Sequence, residues 1–66
     1  MFYNRIKYWV KERGLIQKYV AKQIGVSDQT FSRWVKNETQ PDLIQSAYLA
    51  RVLNIKIDDL IKGEEE

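Results

Sequence analysis

Residues 17–34 read QKYVAKQIGVSDQTFSRW, and no other stretch says as much about the fold. Val20, Ala21 and Ile24 follow three-to-four spacing, Gly25 interrupts it, and Phe31, Trp34 and Val35 resume it beyond. This is the pattern of two short helices packed across a tight turn. Ala21 faces the following helix at close range, where a larger side chain would push the two apart. Gly25 supplies the positive φ of a sharp turn. Val20, Ile24, Phe31 and Trp34 form the wedge that sets the angle between the helices. Ser27 offers a hydroxyl to cap the second of them. Val26 and Phe31 occupy the two positions of a hydrophobic staple. Opposite its apolar side, the second helix carries a small polar face of Asp28, Gln29, Ser32 and Arg33.

Towards the N-terminus, the spacing predicts a first helix over residues 2–13, with Phe2, Ile6, Trp9, Val10 and Arg13 near one stripe. Gly14 ends it in the left-handed conformation, and Leu15 tucks inward. The second helix, 17–24, has Ile16 at its cap position, which lacks an acceptor, so about 1 kcal/mol of capping is missing there. Asn37 to Pro41 is polar and turn-like, and Pro41 stops any helix before it. Asp42 caps a fourth helix, 43–53, with Leu43, Ala47 or Ser46, Leu49, Ala50 and Leu53 facing inward. Asn54 suits a left-handed cap. A last helical turn or two runs from about 57 to 62, with Asp58 and Asp59 near its positive end and Leu60 and Ile61 towards the core. No strand pattern, repeat or linker is visible. The expectation is an all-α bundle of five short helices. It forms one helix-turn-helix domain over 1–62, with the motif at about 17–36 and a frayed acidic tail at 63–66.

Sixty-six residues make one domain, which buries only about 60% of its unfolded surface and is stable by a few kcal/mol. With no Cys and no His, there is no disulfide, no zinc site and no imidazole base. No activated nucleophile or acidic metal cluster is identifiable either, so neither an enzyme nor a cofactor is expected. No apolar run approaches the ~20 residues of a membrane span, and the start of the chain lacks a signal-peptide pattern. A soluble cytoplasmic protein with no membrane partner and no evident small-molecule ligand is the expectation. The net charge of +2 hides an asymmetry. Residues 1–36 carry eight Lys or Arg against Glu12 and Asp28, a balance of +6. Residues 37–66 carry three against seven acids, a balance of −4. The positive half, which suits phosphate attraction, coincides with the helix-turn-helix.

The segments ERGLIQ (12–17), IGVSDQTFSRW (24–34) and NIKIDDLI (54–61), with the polar loop and Pro41 between, resemble the phage repressor and Cro-type family. This family, also called the xenobiotic-response-element family, has helix-turn-helix DNA-binding domains. The resemblance covers roughly residues 5–62. It implies a five-helix phage-repressor-like fold that binds double-stranded operator DNA, usually as a two-fold dimer. The third helix, about 28–36, would lie in the major groove. Carried over by position, Asp28, Gln29 and Arg33 would read base edges. The Gln29 amide suits adenine, the Arg33 fork guanine, and Asp28 the amino group of cytosine. Gln17, Ser27, Thr30, Ser32, Lys36, Asn37 and Thr39 would contact the DNA backbone. Asp28 can equally serve its own helix dipole, and Ser27 is first a cap. Lys18 and Lys22 read most simply as solvated charges.

Three positions depart from the family pattern. Ile16 stands where many members have threonine, and Asn54 where glycine is usual. Val10 and Val35 occupy positions that often hold an arginine and a glutamate, so a partly buried ion pair would become an apolar contact within ~4.5 Å. The resemblance implies a homodimer, and Ile44, Tyr48, Val52, Ile55 and Ile57, left over once the core is filled, are its candidate surface. The function implied is a cytoplasmic, nucleoid-associated transcriptional regulator, a small repressor of phage or mobile-element type. The competing reading is a protein-interaction module such as an antitoxin, which uses the same fold to hold a partner.

Overall fold

Four α-helices form where the three-to-four apolar spacing runs: α1 (Ile6–Glu12), α2 (Gln17–Ile24), α3 (Asp28–Val35) and α4 (Leu43–Leu53). A 3-10 helix (Ile57–Leu60) follows, and two short strands, β1 (Phe2–Asn4) and β2 (Ile61–Gly63), flank the set. The structure is a computed structural model that describes residues 2–63. The mostly helical architecture is the one expected from the helix-turn-helix pattern.

All four α-helices stop by the same device. Each is followed by a left-handed residue: Gly14 at φ 66°, Gly25 at 88°, Asn37 at 62° and Asn54 at 56°. The N–H of that residue and the N–H after it make nested bonds back to the last turn. These run from Gly14 to Lys11 and Leu15 to Val10, and from Gly25 to Lys22 and Val26 to Ala21. They run likewise from Asn37 to Trp34 and Glu38 to Arg33, and from Asn54 to Arg51 and Ile55 to Ala50. Two carbonyls that a helix end leaves without partners are thus satisfied at each stop. Leu15, Val26 and Ile55, the residues after three of these stops, pack on the core, so the stop also steers the chain inward. Glu38, after the third helix, is exposed. That turn is held instead by a cluster of side-chain amides.

The cluster centres on Asn4 and Asn37. The Asn37 Oδ1 accepts from the Asn4 N–H at 2.7 Å and from Gln40 Nε2 at 3.1 Å. Its Nδ2 donates to the Asn4 carbonyl at 3.2 Å. Asn4 Nδ2 donates to the Trp34 carbonyl at 2.7 Å and to Gln40 Oε1 at 2.6 Å. Asn4 Oδ1 meanwhile accepts from the Ile6 N–H at 3.0 Å, opening α1. One side chain therefore starts the first helix and clamps the exit of the third.

The helix starts follow the expected chemistry. Ser27 Oγ accepts from the Thr30 N–H at 3.1 Å, and Ile16 provides no side-chain cap to α2. Asp42 and Gln45 form a reciprocal capping box, with the Gln45 N–H on Asp42 Oδ1 at 2.7 Å and the Asp42 N–H on Gln45 Oε1 at 2.9 Å.

The ends of the chain differ from expectation. The helix expected from residue 2 begins only at Ile6, and the last helical segment, expected to reach 62, stops at Leu60. Residues 2–4 and 61–63 instead pair antiparallel, Phe2 opposite Gly63, Tyr3 opposite Lys62 and Asn4 opposite Ile61. Arg5 continues the tie, its N–H on the Leu60 carbonyl at 2.7 Å. The reason is long-range. A three-residue strand has no stability of its own and takes its hydrogen bonds from the opposite end of the chain, which no local pattern announces. Gly63, expected in a fraying tail, lies in β2, while the three glutamates expected there lie outside the described residues.

The core is formed by Ile6 and Val10 of α1, Val20 and Ala21 of α2, Phe31 and Trp34 of α3, Leu49, Ala50 and Leu53 of α4, and Leu60. Phe31 and Trp34 meet edge-on, with ring centroids 5.9 Å apart. Val35 packs half-buried against the cluster to which the buried Val10 belongs. Trp9 lies half-buried with its Nε1 on the Asp59 carbonyl at 2.8 Å. Arg13 donates from Nε to the Leu53 carbonyl at 2.8 Å and from Nη2 to that of Asn54 at 3.2 Å, placing a cation at the negative end of α4. Leu43 and Ile61, both expected to face inward, are 75% and 50% exposed. Leu43 is the first residue of α4 and precedes the turn that reaches the core, and Ile61 has left the helical period for a strand.

Candidate nucleic-acid interface

The interface is built from the back forwards. Ala21 is 1% exposed, which leaves α2 and α3 in close contact with no side chain to separate them. Gly25 and Val26 turn the chain, Ser27 caps α3, and burial of Phe31 and Trp34 fixes the rotation of α3 about its axis. At 100° per residue, positions 29, 32, 33 and 36 then lie on the face opposite those rings, with position 28 at its edge. Asp28, Gln29, Arg33 and Lys36 are exposed there, and Ser32 is half-buried at the base. Asp28 in the first turn and Arg33 in the last both complement the helix dipole.

The ten residues singled out in the sequence divide by what their side chains already hold. Among the described residues, Gln17, Asp28, Gln29, Ser32, Arg33, Lys36 and Thr39 have side chains that make no hydrogen bond within the molecule, so their donors and acceptors remain open. Ser27 and Thr30 are paired, the Ser27 hydroxyl donating to Thr30 Oγ1 at 3.0 Å. The Asn37 amide is engaged by Asn4 and Gln40, so its main structural role is one that sequence reading missed. Nothing near Asn37 signals this, because its partner Asn4 lies 33 positions away.

Gln17 is the first residue of α2. The first backbone bond there runs from the Val20 N–H to the Ile16 carbonyl, so the N–H groups of residues 17–19 point outward without a side-chain cap. An exposed helix start of this kind, with Lys18 and Lys22 exposed on the same helix, favours an anion. A polar helix face with open hydrogen-bonding groups, next to an uncapped helix start, can read base edges while holding phosphates.

These features define a helix-turn-helix domain, and comparison with known proteins agrees. The helix-turn-helix family model matches residues 6–60, from the first residue of α1 to the last of the 3-10 helix. The chain belongs to this family, in its Cro/C1-type branch. It is 32% identical over 63 residues to an uncharacterized HTH-type transcriptional regulator of Methanocaldococcus jannaschii, covering 96% of both chains. It is 33% identical over 63 residues to a regulator of the same description from Archaeoglobus fulgidus, covering 96% of this chain and 89% of that one. A crystal structure of a proposed DNA-binding protein from Bacteroides fragilis superposes with a TM-score of 0.90 at 37% identity, covering 94% of this chain and all of that one. A transcriptional regulator from Listeria innocua has a TM-score of 0.79 at 25% identity, covering 97% of this chain and 64% of that one. The family is one of DNA-binding regulators rather than enzymes. No helix among the described residues is long and apolar enough to cross a membrane.

Proposed function

We propose that this chain is a sequence-specific DNA-binding regulator, a small repressor, that inserts α3 into the major groove of its operator. The observation that carries the reading is the outer face of α3. Asp28, Gln29, Ser32 and Arg33 project from a helix whose rotation is set by the buried Phe31 and Trp34, and no partner within the described residues uses their polar groups. Gln29 and Arg33 read bases, Asp28 reads a cytosine or serves its own helix, and Gln17 with the open N–H groups of α2 binds a phosphate. Lys36 and Thr39 touch the backbone beyond α3. Ser27, Thr30 and Ser32 contribute through their hydroxyls, and Asn37 by shaping the turn.

A homodimer on a two-fold operator follows from size. A protomer 32 Å long presents one α3, and two half-sites lie about 34 Å apart, so a second copy is needed to read both. Ile44, Tyr48 and Ile57 supply its surface, being 64%, 55% and 36% exposed. Val52 and Ile55 contribute less, because both pack on their own core.

The test is titration with duplex DNA across salt concentrations, followed by selection of bound sequences from a random pool. Affinity that falls steeply with salt and converges on one motif supports the regulator. Binding that is absent or insensitive to salt would favour the protein-interaction module.

A further inference from the structure

An open groove runs between α1 and the turn that follows α3. One wall carries Arg5, Lys7, Tyr8 and Lys11, the other Val35 and Asn37, and among the described residues no carboxylate lines it. We infer that this groove holds a DNA phosphodiester backbone beside the bases contacted by α3, with Lys7 and Lys11 as the groups that neutralise it. The inference rests on the DNA-binding reading above and adds to it a second, α1-based phosphate site.

Three observations converge. First, the groove lies at the end of α3, lined by Val35, its last residue, and by Asn37 of the turn beyond. A duplex seated on α3 would bring a strand past this flank. Second, the Asn37 side chain is held in the turn by Asn4 and Gln40, which use its Oδ1 and one of its two N–H groups, so the charge needed to meet an anion there comes from the cations across the groove. Third, the cations have no carboxylate partner among the described residues. Lys7 and Lys11 are both exposed and lie one helical turn apart, about 5–6 Å between Cβ atoms, where like charges repel unless an anion joins them. The Arg5 guanidinium stacks 4.3 Å from the centre of the Tyr8 ring, which orients it while leaving its N–H edge free for a phosphate oxygen.

The test compares the wild type, the Lys7→Gln/Lys11→Gln double variant and a Lys56→Gln control from the acidic half. Each is titrated with two short duplexes of unrelated sequence over a salt series. The expected result is a shallower salt dependence for the double variant. The slope of log K against log[salt] should fall by about 0.9 for each phosphate that is no longer neutralised, equally on both duplexes, with the control unchanged. Both lysines are exposed, so thermal unfolding of the double variant should match the wild type and exclude a folding effect. An unchanged slope in the double variant, beside a wild type that does lose affinity with salt, overturns the groove alone. An equal drop in slope for the Lys56→Gln control also overturns it, since net charge would then explain the effect. A wild type that binds neither duplex overturns the DNA reading and this inference together.

Discussion

At the scale of single residues, function and stability separate on α3 and its turn. Gln29 is exposed and makes no hydrogen bond within the described residues, so its amide is free for a base. Gln29→Ala should relax preference at one base position by about 1–3 kcal/mol and leave the melting temperature unchanged, which selection from a random pool and a thermal melt would check together. A uniform loss across sequences would assign Gln29 to the backbone instead. Gly25 presents the opposite case. A Cβ there would meet nothing within 4 Å, so the cost of adding one is conformational, set by φ at 88°. Gly25→Ala should therefore destabilise by about 1 kcal/mol, while Gly25→Asn should cost about half that or less, as read by chemical denaturation. The reason for the second value is inside the molecule, where Asn37 and Asn54 already end helices in the same conformation.

At the scale of elements, the exit of α3 is the feature that local patterns did not reveal. Asn4 contributes its side chain to the start of α1, to the Trp34 carbonyl and to Gln40, and so ties the first strand to the exit of α3. Asn4→Ala removes three hydrogen bonds at a half-buried site and should destabilise by about 2 kcal/mol in denaturant unfolding. It should also weaken DNA binding beyond what the stability loss explains, because the turn carrying Lys36 and Thr39 loses its anchor. Asn4→Asp tests the geometry. It keeps the acceptor for Ile6 but cannot donate to Trp34 or Gln40, so it should recover only part of the loss. The departure at Val10 and Val35 belongs to this scale too. Both residues are apolar and pack in or on one core between α1 and α3, where a charged pair would have lost its hydration.

At the scale of the whole molecule, charge and exposed apolar surface point in different directions. The basic half carries α1, α2 and α3, whereas five of the nine acids lie in the segment after α4. On the proposed DNA-binding reading, that polarity turns the basic half towards the polyanion. Ile44 and Tyr48 lie one turn apart on α4, both more than half exposed, with Leu43 beside them at 75%. Scattered exposed apolar residues are ordinary, but neighbours on one helix face suit a second copy. Tyr48→Glu should lower the dimer fraction in sedimentation and reduce affinity for a two-half-site operator by tenfold or more, about 1.4 kcal/mol, while a single half-site binds as before. Equal weakening on both would place Tyr48 outside the dimer surface.

The helix-turn-helix is legible in the bare chain because every signal involved is local. Three-to-four spacing placed Val20, Ala21, Ile24, Phe31 and Trp34, Ser27 and Asp42 announced helix starts, and Gly14, Gly25 and Asn54 announced stops. The polar face of α3 followed, since burying two rings leaves only one side of a helix outward. The remaining features arise only in the folded molecule. The pairing of residues 2–4 with 61–63, the capture of Asn37 by Asn4 and the basic groove between α1 and the exit of α3 each depend on groups distant in the chain. A hydrogen bond or a groove wall between such groups exists only after the core has brought them together, so no window of neighbouring residues contains it.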